Sequence, residues 1–191
     1  MTSKLKTDVL ETVSGSGTIA LTNQLSGMTD ASMPSGSVLQ VVSYYTAAQT
    51  AQTLSASDQV INSMSKVITP LGANSKFLVQ LRWVGEIDSG HDVCFNIQMD
   101  GTRVNSGGGR AFMLGMASIS YHSINNNSTP ETLNFSTLVS TSSVIGTDIT
   151  FRLVADCGGG NTMYSNRCFG SAPSGGTEGG TSELIITEIK G

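Results

Sequence analysis

Charge is scarce in this 191-residue chain. Only 13% of residues are charged and the formal net charge is -4, so there is no basic footprint for nucleic acid or an anionic membrane. Proteins and glycans are the expected partners. Cysteine is scarce too: Cys94, Cys157 and Cys168 are too few and too odd in number for a disulfide framework. No apolar run approaches the ~18 to 20 residues of a membrane span, and the opening Met1 to Asp8 lacks the apolar core of a signal peptide. These absences predict a soluble chain made in a reducing cytosol. Lysine-, glutamate- and alanine-leucine-rich helical runs are also missing, whereas glycine is frequent, at 22 residues, amid abundant Ser, Thr and Asn. That mixture favours strands and turns.

The chain changes texture at Pro34-Ser35-Gly36. Before it, residues 1 to 37 are polar and glycine-punctuated, with isolated apolar pegs at Val9, Leu10, Val13, Ile19, Leu21, Leu25 and Met28. Such a segment cannot build a core alone. It is expected to be an extended assembly segment whose pegs anchor against a partner chain. Residues 38 to 191 alternate apolar and polar residues in short segments, which predicts half-buried strands. Val93, Phe95, Ile97 and Met99 share a face, and Asp100-Gly101 follows as a hairpin turn. Phe77, Val79, Leu81 and Trp83 form a second row. Ile149, Phe151, Leu153 and Ala155 form a third, and Leu133, Phe135 and Val139 a fourth.

Further strands are expected over 38–45, 59–69, 111–121 and 182–190, and a loop over 46–57. Roughly eight strands make the fold class all-β, an antiparallel β-sandwich or jelly roll with an extended N-terminal anchoring segment. Leu78, Val84 and Val154, with Met113, Ile119 and Tyr121, put apolar groups on the faces that should meet water. Such strands need cover on both sides, which predicts oligomerisation.

Candidate chemistry is sparse. Gly15-Ser16-Gly17-Thr18-Ile19-Ala20 has the glycine spacing of a dinucleotide loop, but no buried strand precedes it and no helix follows. Glu86, Asp88, His91 and Asp92, with His122, hold metal-ligand atoms at a spacing that matches no EF-hand or zinc pattern, and a solvated acidic turn is the plainer reading. No nucleophile elbow accompanies the two histidines. Cys157 and Cys168 bracket a hairpin-like stretch, compatible with a disulfide or with two reduced thiols. No cofactor, metal or catalytic residue is assigned. Loops over 105–110, 125–130 and 158–180 are candidate recognition surface. Asn126, Asn127, Tyr164, Asn166 and Arg167 are the glycan candidates, because amides bond sugar hydroxyls and aromatic rings stack on sugar faces.

The opening Lys4-Leu5-Lys6-Thr7-Asp8 through Ala20-Leu21, continuing over Leu25 to Met28 and Met33 to Val42, resembles tail-fibre-like virion proteins of marine tailed bacteriophages. Ile68-Thr69-Pro70, Asn74 to Val79, Met99 to Thr102 and the ending Gly180 to Lys190 fit the same group more loosely. The resemblance implies a virion-attachment segment followed by a jelly-roll knob of the trimeric tumour necrosis factor type. It also implies a homotrimer located in the virion. It brings no catalytic residues with it. The chain is short for a full tail fibre, which speaks against receptor binding and for a fibre tip, a neck or whisker fibre or a capsid-decorating role; the first expectation is a tail-fibre or fibre-tip-like subunit, with host surface glycan as the ligand of its knob loops. A capsid-decorating or neck adaptor protein that reads no host is the alternative. A glycan-cleaving tail spike is a third reading, and needs two carboxylates ~5 to 9.5 Å apart. Asp88 with Asp92, or Glu131 with a neighbour, are its candidates.

Overall fold

The computed structural model describes residues 33–54, 58–87, 93–105, 115–117, 130–157, 160–168 and 179–191, with the backbone alone for 115–117 and 157. The fold below is that of the unit Pro34–Gly191. The assembly pegs from Val9 to Met28 lie outside the described residues, as do Asn126 and Asn127.

Eleven strands and no helix are present among the described residues: β1 (Val38–Thr46), β2 (Thr50–Thr53), β3 (Gln59–Ile68), β4 (Lys76–Ile87), β5 (Val93–Met99), β6 (Thr102–Arg103), β7 (Gly115–Ala117), β8 (Glu131–Ser140), β9 (Ile149–Cys157), β10 (Thr162–Ser165) and β11 (Ser182–Ile189). They form two antiparallel sheets, an all-β sandwich of the kind the alternation predicts. The first sheet is organised by the long strand β4. One edge of β4 pairs with β8 throughout Lys76 to Gly85, while the other edge pairs first with β11 and then, from Gly85, with β10. Strand β1 lies outside β11, and β2 lies outside β10. In the second sheet the order is β3-β9-β5, with β6 and β7 both on the free side of β5.

All four predicted rows face the core. Phe77, Val79, Leu81 and Trp83 from the first sheet meet Val93, Phe95, Ile97, Phe151 and Leu153 from the second, all buried. Two aromatic contacts bridge the sheets: Phe77 with Phe151 at 5.5 Å between ring centroids, and Trp83 with Phe95 at 5.1 Å. Tilted pairs at this separation add to simple burial. The Asp100-Gly101 turn forms as expected, both residues with positive φ (49° and 84°) and Met99 paired with Thr102. Asp100 further ties the turn to β9, accepting a hydrogen bond from the Thr150 amide.

Three expectations are corrected. Thr50–Thr53 is a strand where a loop was expected, because β10 offers it a free edge and pairing satisfies backbone groups that a loop leaves to water. The stretch read as one recognition loop over 158–180 contains β10 itself. Val84 and Val154 need no second subunit, since both are buried within the single chain. Val84 sits where β11 and β10 part along β4. A Cβ on Gly180 would lie 2.3 Å from a Val84 methyl, so the chain entering β11 lies directly upon it.

Candidate functional site

The antiparallel register places four rows of side chains across the solvent side of β1, β11, β4 and β8. Starting at the end where Pro34 to Ser37 lead into β1, they run Val38-Ile189-Lys76-Ser140, then Val41-Thr187-Leu78-Leu138, then Ser43-Ile185-Gln80-Ser136, then Tyr45-Glu183-Arg82-Asn134. The face is thus apolar towards the entry end and polar away from it. An ordinary solvated sheet alternates more evenly.

At the entry end the apolar character continues into the connecting turns. Val144 and Ile145 are 63% and 61% exposed, and Leu71 is also exposed. The turn holding the first two is well fixed. The Thr147 amide bonds the Val144 carbonyl, the Gly146 amide bonds the Pro70 carbonyl, and Gly146 takes a φ of 77° that suits glycine. Turn tips are normally filled by Gly, Asn, Asp or Ser, so two branched aliphatics held out here leave an exposed apolar patch unexplained by the fold.

At the polar end lies an open groove of about 390 Å³, lined among others by Gln80, Arg82, Asn134, Ser136, Glu183 and Ile185. Arg82 is held from one side. Its Nη2 donates to Thr181 Oγ1 at 2.9 Å and lies 4.0 Å from Glu183 Oε2. The two charges largely cancel. Among the described residues, none hydrogen-bonds the side chains of Gln80, Asn134 or Ser136. Tyr45, in the same row as Glu183, is 59% exposed.

No family model matches the chain. No curated protein matches it. Among solved structures it is similar to dimeric latent PorU from Porphyromonas gingivalis, at a TM-score of 0.36 and 11% identity over 83% of this chain and 14% of that one. It is also similar to a chain from infectious bursal disease virus Gx strain, at a TM-score of 0.32 and 13% identity over 81% of this chain and 43% of that one. The chain therefore spans less than half the length of either, and likeness at this level carries nothing about what it does.

The loop candidates fare unevenly. Asn166 is fully buried, and its amide is spent inside the fold: Nδ2 donates to the Thr46 and Ala48 carbonyls, and Oδ1 accepts from Ser182 Oγ. Ser182 Oγ in turn accepts from the Val84 amide. The residue locks the point at which β4 exchanges β11 for β10, and a glycan cannot reach it. Replacing Asn166 by alanine is expected to cost about 2–3 kcal/mol, since two carbonyls lose their donor and a positive φ (59°) must be held without the side chain that favours it. Urea unfolding followed by circular dichroism measures this. Tyr164 and Arg167 are half-buried and occupy each other, the guanidinium lying 5.0 Å from the ring centroid.

Of the metal and hydrolase candidates, Glu86 and Glu131 are half-buried at the far end of the β4–β8 pair; Asp88, His91, Asp92 and His122 lie outside the described residues. No group of three metal-ligating side chains occurs among the described residues. Cys94 is half-buried and Cys168 buried; the side chain of Cys157, and hence its pairing, lies outside the description.

Two polar clusters, one buried and one partly buried, escape sequence reasoning. Glu188 stands in the core row of β11 with Leu184 and Ile186, wholly buried, and its carboxylate accepts from Ser75 Oγ (2.6 Å), Gln40 Nε2 (2.7 Å) and the Leu71 and Gly72 amides. Burial pushes its pKa up, but these hydrogen bonds outweigh burial and hold it below the ordinary value. The signal was available in the sequence: an acid in the apolar register of a strand must bring its donors with it. The second cluster joins Arg103 to Asp58 and Asp156, with Gln98 donating to Asp58. Hydrogen bonding to Asp58 raises the Arg103 pKa, and Asp156 adds to it. This pins the β5–β6 hairpin to the start of β3 and the end of β9.

Proposed function

We propose that this chain is a bacteriophage virion structural subunit of the tail-fibre or fibre-tip kind, docking on the particle through residues 1 to 37 and acting by binding, not turnover. An all-β sandwich is compatible with such a role, and the resemblance of the leader and of both ends of the knob to tail-fibre-like virion proteins supports it. The observation that carries it is the apolar band at the entry end. Val38, Val41, Leu138, Val144 and Ile145 are exposed together there, beside the point from which the leader departs. Copies of this chain associating through that band gather their leaders side by side, as a trimeric fibre element requires. The opposite end is left facing outward, and a host surface glycan is its ligand. Weak single sites gain from multiplicity on one particle, by ~100-fold or more where geometry permits.

Sedimentation equilibrium of the purified full chain tests this. The wild type is expected at three times the 19.9 kDa chain mass. Val144→Asp combined with Ile145→Asp is expected to sediment as a monomer with an unchanged circular dichroism spectrum, because both side chains stand in solvent on a turn outside the core. A wild type that is monomeric at all concentrations overturns the reading.

A further inference from the structure

We infer that the groove on the outer face of β8, β4 and β11 is a binding site for a neutral saccharide. The inference deepens the reading above and rests on it for the source of the sugar, a host surface glycan, but it places the site on the sheet instead of on the loops.

Gln80 and Ser136 are a directly opposed cross-strand pair, and Arg82 and Asn134 are the next. Side chains so placed stand about 4.5–5.5 Å apart at Cβ, close enough for their polar tips to converge on hydroxyls of one sugar ring. Two amides and a hydroxyl carry donors and acceptors in one small area, which suits hydroxyl groups that both give and take hydrogen bonds. Arg82 and Glu183 add a fixed donor fork and a fixed acceptor. Because they face one another across 4.0 Å, the groove has no uncompensated charge with which to select an anionic or cationic ligand. Ile185 supplies an apolar floor, and Tyr45 an exposed ring at the margin beyond Glu183. A sugar presents the matching surface: hydroxyls around its rim and an apolar C–H face that stacks on aromatic rings.

The volume of about 390 Å³ falls in the range of small-molecule sites. The groove begins in the row next to Val41 and Leu138 and extends away from the entry end, so assembly centred on the Val144 and Ile145 turn leaves its far half, with Arg82, Asn134 and Glu183, open. The loop candidates offer less. Asn166 is buried, and Arg167 already covers the Tyr164 ring.

The test is ligand-observed saturation-transfer NMR on the purified full chain with four neutral disaccharides, maltose, cellobiose, lactose and chitobiose, and with the anionic sialyllactose. Transfer to at least one neutral disaccharide is expected. Tyr45→Ala and the double variant Gln80→Ala with Asn134→Ala should each weaken it by about tenfold, as loss of a stacking or a paired hydrogen-bonding contact does. All three positions are on the solvent face, so circular dichroism and sedimentation should match the wild type. Tyr164→Ala should leave transfer unchanged. The inference fails if no neutral sugar receives saturation, if only sialyllactose does, or if the groove variants bind like the wild type while Tyr164→Ala does not. A trimer that binds none of these sugars would sink the groove and leave the virion-subunit reading standing, whereas a sugar-binding monomer would do the reverse.

Discussion

Glu188→Ala is expected to lower the unfolding free energy by about 3–5 kcal/mol, because at least two of the donors it satisfies are stranded at ~1–3 kcal/mol each. The residue gathers the turn between β3 and β4 onto the last strand: the Leu71 and Gly72 amides and Ser75 Oγ all end on one carboxylate, with Gln40 closing it from β1. Glu188→Gln keeps one acceptor oxygen and should recover about half of the loss. The pH dependence has a definite sign. With its folded pKa held below the ordinary value, Glu188 contributes fully above the unfolded pKa of about 4.3. That contribution drains away as pH falls below this value and through the depressed folded pKa. The gap in urea midpoint between wild type and Glu188→Gln should therefore be wide at pH 7 and narrow towards pH 3. A gap that stays constant or widens on acidification contradicts the assignment.

Trp83→Ala is the second large effect, about 3–5 kcal/mol for emptying a fully buried aromatic site. In a domain of this size that corresponds to a fall in Tm of roughly 6–20 °C. Trp83 ties three elements together. Its ring meets Phe95 across the sandwich, its Nε1 donates to Ser165 Oγ on β10, and its edge fills the space beside Gly85, where a Cβ would lie 2.5 Å from Cζ2. Trp83→Phe retains the ring contact and loses the hydrogen bond, so about 1 kcal/mol beyond the lost volume is expected. As the chain holds one tryptophan, wild-type fluorescence reports this site directly, with buried-type emission shifting red in the same transition that circular dichroism follows. Non-coincident transitions would show that β10 and its neighbours open separately from the core.

Strand alternation made the core legible in advance. The rows built on Phe77, Val93, Ile149 and Leu133 lie where period two puts them, since each strand solves the same local problem of one dry and one wet face. Local alternation does not reveal burial that comes from distant parts of the chain. Val84 and Val154 looked like excess apolar surface only because a one-dimensional pattern cannot show that another part of the same chain lies over them. Asn166 looked like an exposed recognition amide because it sits among glycines and polar residues. It is in fact a core hydrogen-bonding hub, made so by carbonyls more than a hundred residues away.

The groove was only half legible. Gln80 and Arg82 read as solvent-facing from the strand pattern, but nothing local joins them to Asn134, Ser136, Glu183 and Tyr45.

By itself the sequence determined the all-β class, the inward rows, the Asp100-Gly101 turn and the uncored character of the leader, because each depends on residues within a few positions of one another. Only the tertiary structure decided that β4 carries two successive neighbours on one edge, that Glu188 is sealed by donors from two other segments, and that apolar and polar halves divide one sheet face. Those features are set by pairings between distant strands, and register between distant strands follows from the packing of the whole core, not from any one segment.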